Sequence, residues 1–578
     1  MCGLFGVVST SELNSEKEKL LESLRLLDSR GPDSFGYFST GNVFIGHTRL
    51  SILDLSVNAS QPMIDEKSGV VLSVNGEIYN FKNLREELSD KYNFNSGSDS
   101  EVLLYGYIEW GIEGLSEKID GMYAISIYDP RLDTVFLVRD RAGIKPLFLS
   151  VIDKKVIWSS EIKSIENYLT RKTVDNTALY DFLTYLYIPT PKTLYKEIKK
   201  IFPATITAIN LKTLSVNESK YWTLDVSTEV TDCSSSKIRL KQLIQESVTE
   251  QMVSDVPLGF FLSGGVDSSV IAACIGKEKI GKTAYTVAIE GQNGNESIDA
   301  KKVADHLGLS HKVNTLSELN TKEILDKLLD YFDEPFADTS LLPTYLVSKS
   351  VREDCTVALS GDGADELFGG YSWYDEFSRS FQLQKYLPKL LQGYTSSLHR
   401  AVNKSFCSKI LRKLETKFYL SGVELYATLL GGLRTAQKNK YKKALGISKN
   451  YNDYWYFEKY WKEELPIKTR LQYLDFHTYL LDDILPKVDR ASMAVSLECR
   501  VPFLKKEIIE FAFSIPESIR FYGGEPKGIL REVFKGDLPK SVFEKKKSGF
   551  SIPNSLVTDE NMTKQEDILK RFIGKNEN

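Results

Sequence analysis

A cysteine at position 2 could serve as a nucleophile because of where it stands. Its small side chain lets Met1 be removed, and the free α-amino group then lies beside its own thiol. Such an amine titrates at about pH 8, suited to accepting a thiol proton, and N-terminal nucleophiles activate themselves this way. A second reactive cluster is Leu262-Ser263-Gly264-Gly265-Val266-Asp267-Ser268-Ser269, lying between an apolar run and an amphipathic one. Two glycines let the backbone approach an anion, the following helix offers unpaired N–H groups and its positive end, and serines add hydroxyl donors. Pyrophosphate fits such a nest. A third cluster, Ser360-Gly361-Asp362-Gly363-Ala364-Asp365-Glu366, again ends an apolar run. Magnesium takes one or two carboxylates together with phosphate oxygens, so Asp267 and Asp365 are the natural pair if the two loops meet. The stretch DGADE lacks the alternating acidic ligands of a calcium loop.

The elements that must position these groups fall into two kinds. Up to about residue 210 the chain shows short strand-like runs between turns, among them GLFGVV, GVVLSVNG and MYAISIYD, which predicts a sheet-rich first domain. A polar stretch, DVSTEVTDCSSSK, precedes a helical pattern from Ile238. Beyond it, strand candidates at Leu258–Leu262, Thr283–Ile289 and Thr356–Leu359 alternate with helical stretches, the pattern of a helix-covered parallel sheet. From about residue 371 the pattern is mostly helical, ending in a charged tail expected to be loose. Tyr451 to Trp461 is dense in aromatics, which either bury their rings in a helix or stack on sugars. The division is therefore 2–210 first domain, 211–237 linker, 238–560 second domain and 561–578 tail.

Composition narrows the class further. The chain has 578 residues, more than one core usually organises, with 42% hydrophobic and 26% charged residues. A formal charge of only −4, with both signs interspersed, argues against nucleic acid and for small-molecule substrates. Six scattered cysteines without a C-x-x-C pair fit reduced thiols in cytoplasm. No leader and no apolar run of about 18 residues is read, so neither export nor a membrane span is expected.

The order MCGLFG, RGPD (Arg30 to Asp33), GHTRLSI, VNGEIYN, SDSE and RDRAGIKPLF resembles the class II glutamine amidotransferases over roughly the first 165 residues. The resemblance implies an α+β N-terminal α-β-β-α sandwich of the N-terminal nucleophile type. It also implies a glutamine site of Arg49, Leu50, Ser51, Ile52, Asn75, Gly76, Glu77 and Asp99. Arg49 would fork onto the substrate carboxylate, and Asp99, helped by Glu77, would accept its ammonium. The Asn75 side chain and the Gly76 N–H would hold the oxyanion formed when Cys2 attacks. Asn-Gly also makes a tight turn, which is compatible with that role.

The S-G-G-V-D-S segment resembles the loop of the ATP pyrophosphatases, which release AMP rather than ADP. With DEPFAD (Asp333 to Asp338) and LLDDILPKVDRASMAVSLECRVPFL, it makes nearly the whole chain similar to the asparagine synthetase family. That implies an α/β parallel-sheet second domain with a helical C-terminal part. Phe261, Ser263, Gly264, Gly265, Asp267, Ser268, Val287, Ser360 and Gly361 would then bind ATP, and Asp267 and Asp365 would bind Mg2+. Lys527, in PKGILRE, would steady the adenylating transition state. Asp362 stands where the best-known members carry glutamate, a departure that leaves the reaction type and opens the acceptor: aspartate first, a uronic acid on a surface-polysaccharide precursor second. An internal ammonia passage and a homodimer are further expectations from the relatives.

Overall fold

The computed structural model describes residues 2–227, 232–277, 282–289, 296–316, 321–385, 420, 422–544 and 564–574. Of the region 371–465, residues 386–419 and 421 therefore lie outside the description, as do 545–560 of the second domain.

Two six-stranded sheets build the first part. Its strands are β1 (Gly3–Ser9), β2 (Ser34–Thr40), β3 (Val43–Arg49), β4 (Met63–Ile64), β5 (Val71–Ile78) and β6 (Gly121–Asp129), then β7 (Thr134–Arg139), β8 (Phe148–Ile152), β9 (Lys155–Ser159), β10 (Ile198–Lys200), β11 (Thr205–Asn210) and β12 (Val216–Lys220). One sheet runs β10-β8-β9-β1-β3-β2 and the other β12-β11-β7-β6-β5-β4. Strand alternation explains the layering. In β1, Leu4 and Val8 point to the facing sheet, meeting Val71, Ala124 and Leu137. Phe5 and Val7 point the other way, onto helices Lys17–Arg25 and Ile162–Tyr168. The second sheet likewise covers its outer face with helices Phe81–Leu88 and Asp99–Lys118. The result is an α-β-β-α sandwich, and a strand buried on both faces explains why GLFGVV reads as one continuous apolar run.

The second part is organised by a five-stranded parallel sheet of β13 (Leu258–Phe261), β14 (Thr283–Ile289), β15 (Ser310–Leu316), β16 (Val357–Leu359) and β17 (Glu498–Arg500), in the order β15-β14-β13-β16-β17. Leu258, Phe260, Val357 and Leu359 pack on helices Cys233–Gln251 and Val266–Lys277. Tyr285, Val287, Ala358 and Cys499 pack on helix Leu341–Arg352 from the other face. Because β13 and β16 are parallel neighbours, paired at Phe260 and Leu359, the loops leaving both emerge at the same sheet edge.

Several elements differ from the sequence reading. Strand β12 falls inside the stretch read as linker. Helix Asn176–Tyr185 buries Leu179, Phe182 and Leu183 in the helical core of the second part, among Leu329, Tyr426 and Phe457. The tail expected to be loose forms helix Lys564–Gly574, whose Leu569 and Phe572 enter that same core at a 3.6-residue spacing that the surrounding charges hid. The aromatic stretch behaves as a helix with buried rings, Tyr456 and Phe457 being fully enclosed.

Candidate active sites

The first site is assembled at the ends of β1, β3 and β5. Cys2 is buried, its N–H donates to Asn75 Oδ1 at 3.0 Å, and its Sγ lies 4.0 Å from the Leu50 carbonyl. The Asn75 amide is thereby oriented, leaving Nδ2 as a buried donor with no hydrogen-bond partner among the described residues. An unsatisfied donor beside a nucleophile is what a developing oxyanion requires. Gly76 follows in β5, where a side chain would bring a Cβ within 2.1 Å of the Met122 carbonyl oxygen, so the strand pairing admits glycine alone. Asp99 begins helix Asp99–Lys118, is buried there, and accepts the Ile78 N–H at 2.9 Å. Glu77 is buried as well. Arg49 turns its guanidinium into the following loop, donating to the carbonyls of Ser56 at 3.0 Å and Asp54 at 2.5 Å. Ser51 N–H donates to Asp33 at 2.7 Å, and Leu50 and Ile52 are buried.

Burial dominates the electrostatics of this site. It pushes the Cys2 thiol up, raises Asp99, and raises Glu77 well above the usual carboxylate range despite Arg500 beside it. A thiol held neutral by its surroundings needs a base within reach, which a free amine on the same residue would supply.

The second site is a cavity of about 1210 Å³ at the sheet edge where the β13 and β16 loops emerge. Phe261, Ser263, Gly265, Asp267, Ser268 and Val287 line it from one side, and Ser360, Gly361, Asp362, Asp365 and Lys527 from the other. Gly264 lies beneath the loop at φ +71°, with Asp299 and Ala300 within 2.8 Å of where a Cβ would sit. The loops touch: a Cβ on Gly361 would stand 2.9 Å from that of Asp267. Lys527 Nζ reaches Asp267 at 2.5 Å and Asp365 at 2.6 Å, so both carboxylates converge on one point. Two converging carboxylates supply hard oxygens of the kind magnesium takes, and this pair would suit it alongside substrate phosphates. Burial would lower the Lys527 ammonium, but Asp267 and Asp365 override it and hold the charge firmly on. Asp362 takes a hydrogen bond from the Ser360 hydroxyl, and burial raises its carboxyl against the pull of Lys487.

Three buried charged side chains beside these sites were not singled out from the sequence. Lys487 lines the second cavity and pairs with Asp338 at 2.9 Å. Asp489, two residues on in helix Leu485–Met493, accepts from both terminal nitrogens of Arg30 at 2.8 and 3.0 Å. Arg30 itself, grouped by sequence with the glutamine site, donates to the Cys2 carbonyl at 3.1 Å and pairs with Glu161, thereby linking Cys2 to helix Leu485–Met493. Arg500 reaches from β17 to Glu77 at 3.3 Å. Only the residue types were legible, since partners hundreds of positions apart leave no local signal.

A buried thiol at the start of an α-β-β-α sandwich, joined to a parallel-sheet domain whose two glycine-bearing loops share one cavity, fits a two-domain glutamine amidotransferase with a nucleotide-dependent synthetase half. Residues 1–222 match the glutamine amidotransferase domain and residues 239–569 match asparagine synthase. Glutamine-hydrolysing asparagine synthetase 1 of Bacillus subtilis is 33% identical, the match spanning 96% of this chain and 87% of that protein. Asparagine synthetase B of Escherichia coli is 28% identical over 95% of this chain and 82% of that protein. This chain belongs to the asparagine synthase family. Among the described residues no helix is long and apolar enough to cross a membrane.

Proposed function

We propose that the chain amidates a carboxylate through an acyl adenylate, taking nitrogen from glutamine, and that the carboxylate is aspartate. The observation that carries this reading is the single cavity lined by both synthetase loops and by Lys527. In it the β13 loop, with Ser263, Gly265 and Ser268, cradles pyrophosphate, while Lys527 neutralises charge developing on the phosphates. Asp267 and Asp365 would hold Mg2+, which supplies charge neutralisation at the phosphate oxygens when bound. Asp362, whose carboxyl burial raises above its ordinary value, lines the same cavity and would serve as a proton acceptor as ammonia attacks the adenylate.

In the other half, Cys2 attacks the glutamine amide, its proton passing to the α-amine, and Asn75 Nδ2 receives the oxyanion. Collapse forms a γ-glutamyl thioester and releases ammonia, and water then frees glutamate.

A second acceptor is favoured by one feature. Trp373, stacked on Tyr371 at 3.9 Å and 14°, offers the cavity an aromatic face of the kind that packs on a sugar ring, as a uronic acid would present. A panel of carboxylates decides: glutamine- and ATP-dependent AMP release driven by aspartate supports the first reading. Release driven by a sugar acid and not by aspartate replaces it.

A further inference from the structure

We propose that Arg500, on the last strand of the synthetase sheet, is a positioning residue of the glutamine pocket, setting through Glu77 how strongly that pocket holds the ammonium group of glutamine. The proposal rests on the reading of Cys2 and its neighbours as a glutamine site.

Arg500 is fully buried; its Nε and Nη1 donate hydrogen bonds, while Nη2 faces Glu77 as an ion pair without one among the described residues. Nη2 lies 3.3 Å from Glu77, Nε donates to Glu498 at 2.7 Å, and Nη1 donates to the carbonyls of Gln251 and Val253 at 2.8 and 2.7 Å. Its own carbonyl accepts the Ser360 N–H at 2.9 Å, so the residue that reaches the glutamine pocket also anchors the second nucleotide loop.

A pocket that binds an ammonium group gains from ionised carboxylates, yet burial raises both Glu77 and Asp99, so each positive charge beside them lowers the cost of ionising them as the ammonium binds. Two such groups in a low-dielectric site drive each other toward the neutral form. The groups facing Glu77 are Arg500 and Glu498 from β17, Asp99 from its helix, and the amino end of the chain. Of the two positive groups among them, Arg500 is the stronger influence and, as a guanidinium, cannot release its proton. The glutaminase domain thus borrows a fixed positive charge from the synthetase domain.

The test is glutaminase kinetics on the full chain for R500M, R500K, E77Q and the R500M/E77Q double variant, with unfolding followed alongside. An opposite charge within about 4–6 Å lowers a carboxyl by about 1–3 units, and one unit is about tenfold in its ionised fraction. R500M is therefore expected to raise the glutamine KM about tenfold with little change in kcat, and R500K to recover part of it. Raising the pH restores the KM of R500M, because Glu77 then ionises unaided. Adding R500M to E77Q changes nothing further. An unchanged KM in R500M, a loss confined to kcat, or a full additional effect in the E77Q background overturns the proposal. Should R500M not fold, E77Q alone decides: it raises KM without pH dependence if the charge pair matters, and an unchanged KM refutes it. A wild-type chain that hydrolyses no glutamine would instead remove the site reading itself.

Discussion

Cys2 carries a thiol that burial drives toward its neutral form, so ionisation must come from a base held beside it rather than from solvent. Replacing Cys2 by Ala is expected to end glutamine-driven amidation while synthesis from added ammonium continues; loss of both in a folded variant would mean the halves are not separable. At the other site, Asp267 is one of two carboxylates converging on the point where Lys527 Nζ now sits. Asp267→Ala should cut AMP formation by about 100-fold, the usual cost of removing one preorganised charged contact, and leave glutamine hydrolysis intact. AMP release at the wild-type rate would contradict the role given to it. Both residues were legible in sequence because each sits in a motif whose neighbours serve the same chemistry. Arg500 and Lys487 were not, because a buried cation is explained by its partner, and Glu77 and Asp338 lie far off in the chain.

Strands and loops set the distances those residues need. The two synthetase loops meet because β13 and β16 are adjacent and parallel, a neighbourhood no local pattern announces even where each strand and loop is readable alone. The glutaminase strands were legible as short apolar runs, whereas helix Asn176–Tyr185 was not assigned to the core it joins, since its apolar residues suit either side. Gly76 illustrates how tightly an element can specify a residue. Gly76→Ala would force a Cβ to within 2.1 Å of the Met122 carbonyl, spreading β5 from β6. We expect a loss of about 1–3 kcal/mol in urea unfolding, as for other overpacked sites, together with lowered glutaminase activity. A variant as stable and active as wild type would show that the strands yield more easily than their packing implies.

Across the whole molecule the two halves share one apolar core, in which Leu50, Ile52 and Met122 of the first part join Phe260 and Phe503 of the second. Buried charges cross the same contact. Glu161 meets Arg30 at 3.1 Å, Lys163 at 2.5 Å and Arg490 at 2.7 Å, and Arg490 continues to Asp333 at 2.7 Å. Burial alone would raise the Glu161 carboxyl, but Arg490, Lys163 and Arg30 reverse that and hold it below its ordinary 4.5. A carboxyl depressed on folding stabilises fully above the unfolded value, and that stability is lost as pH falls through the folded one. Glu161→Gln is therefore expected to be less stable at neutral pH and to lose stability less steeply below pH 4.5 than wild type does. Parallel curves would mean the network does not titrate as a unit.

The central claim is that nitrogen leaves glutamine at Cys2 and enters a carboxylate activated as its adenylate in the second cavity. Its most direct test supplies glutamine labelled with nitrogen-15 in the amide, together with ATP, magnesium and aspartate, in buffer without added ammonium. The account predicts labelled amide in the product, with one AMP and one pyrophosphate formed for each amide made. Unlabelled product, or ADP and phosphate in place of AMP and pyrophosphate, would contradict it.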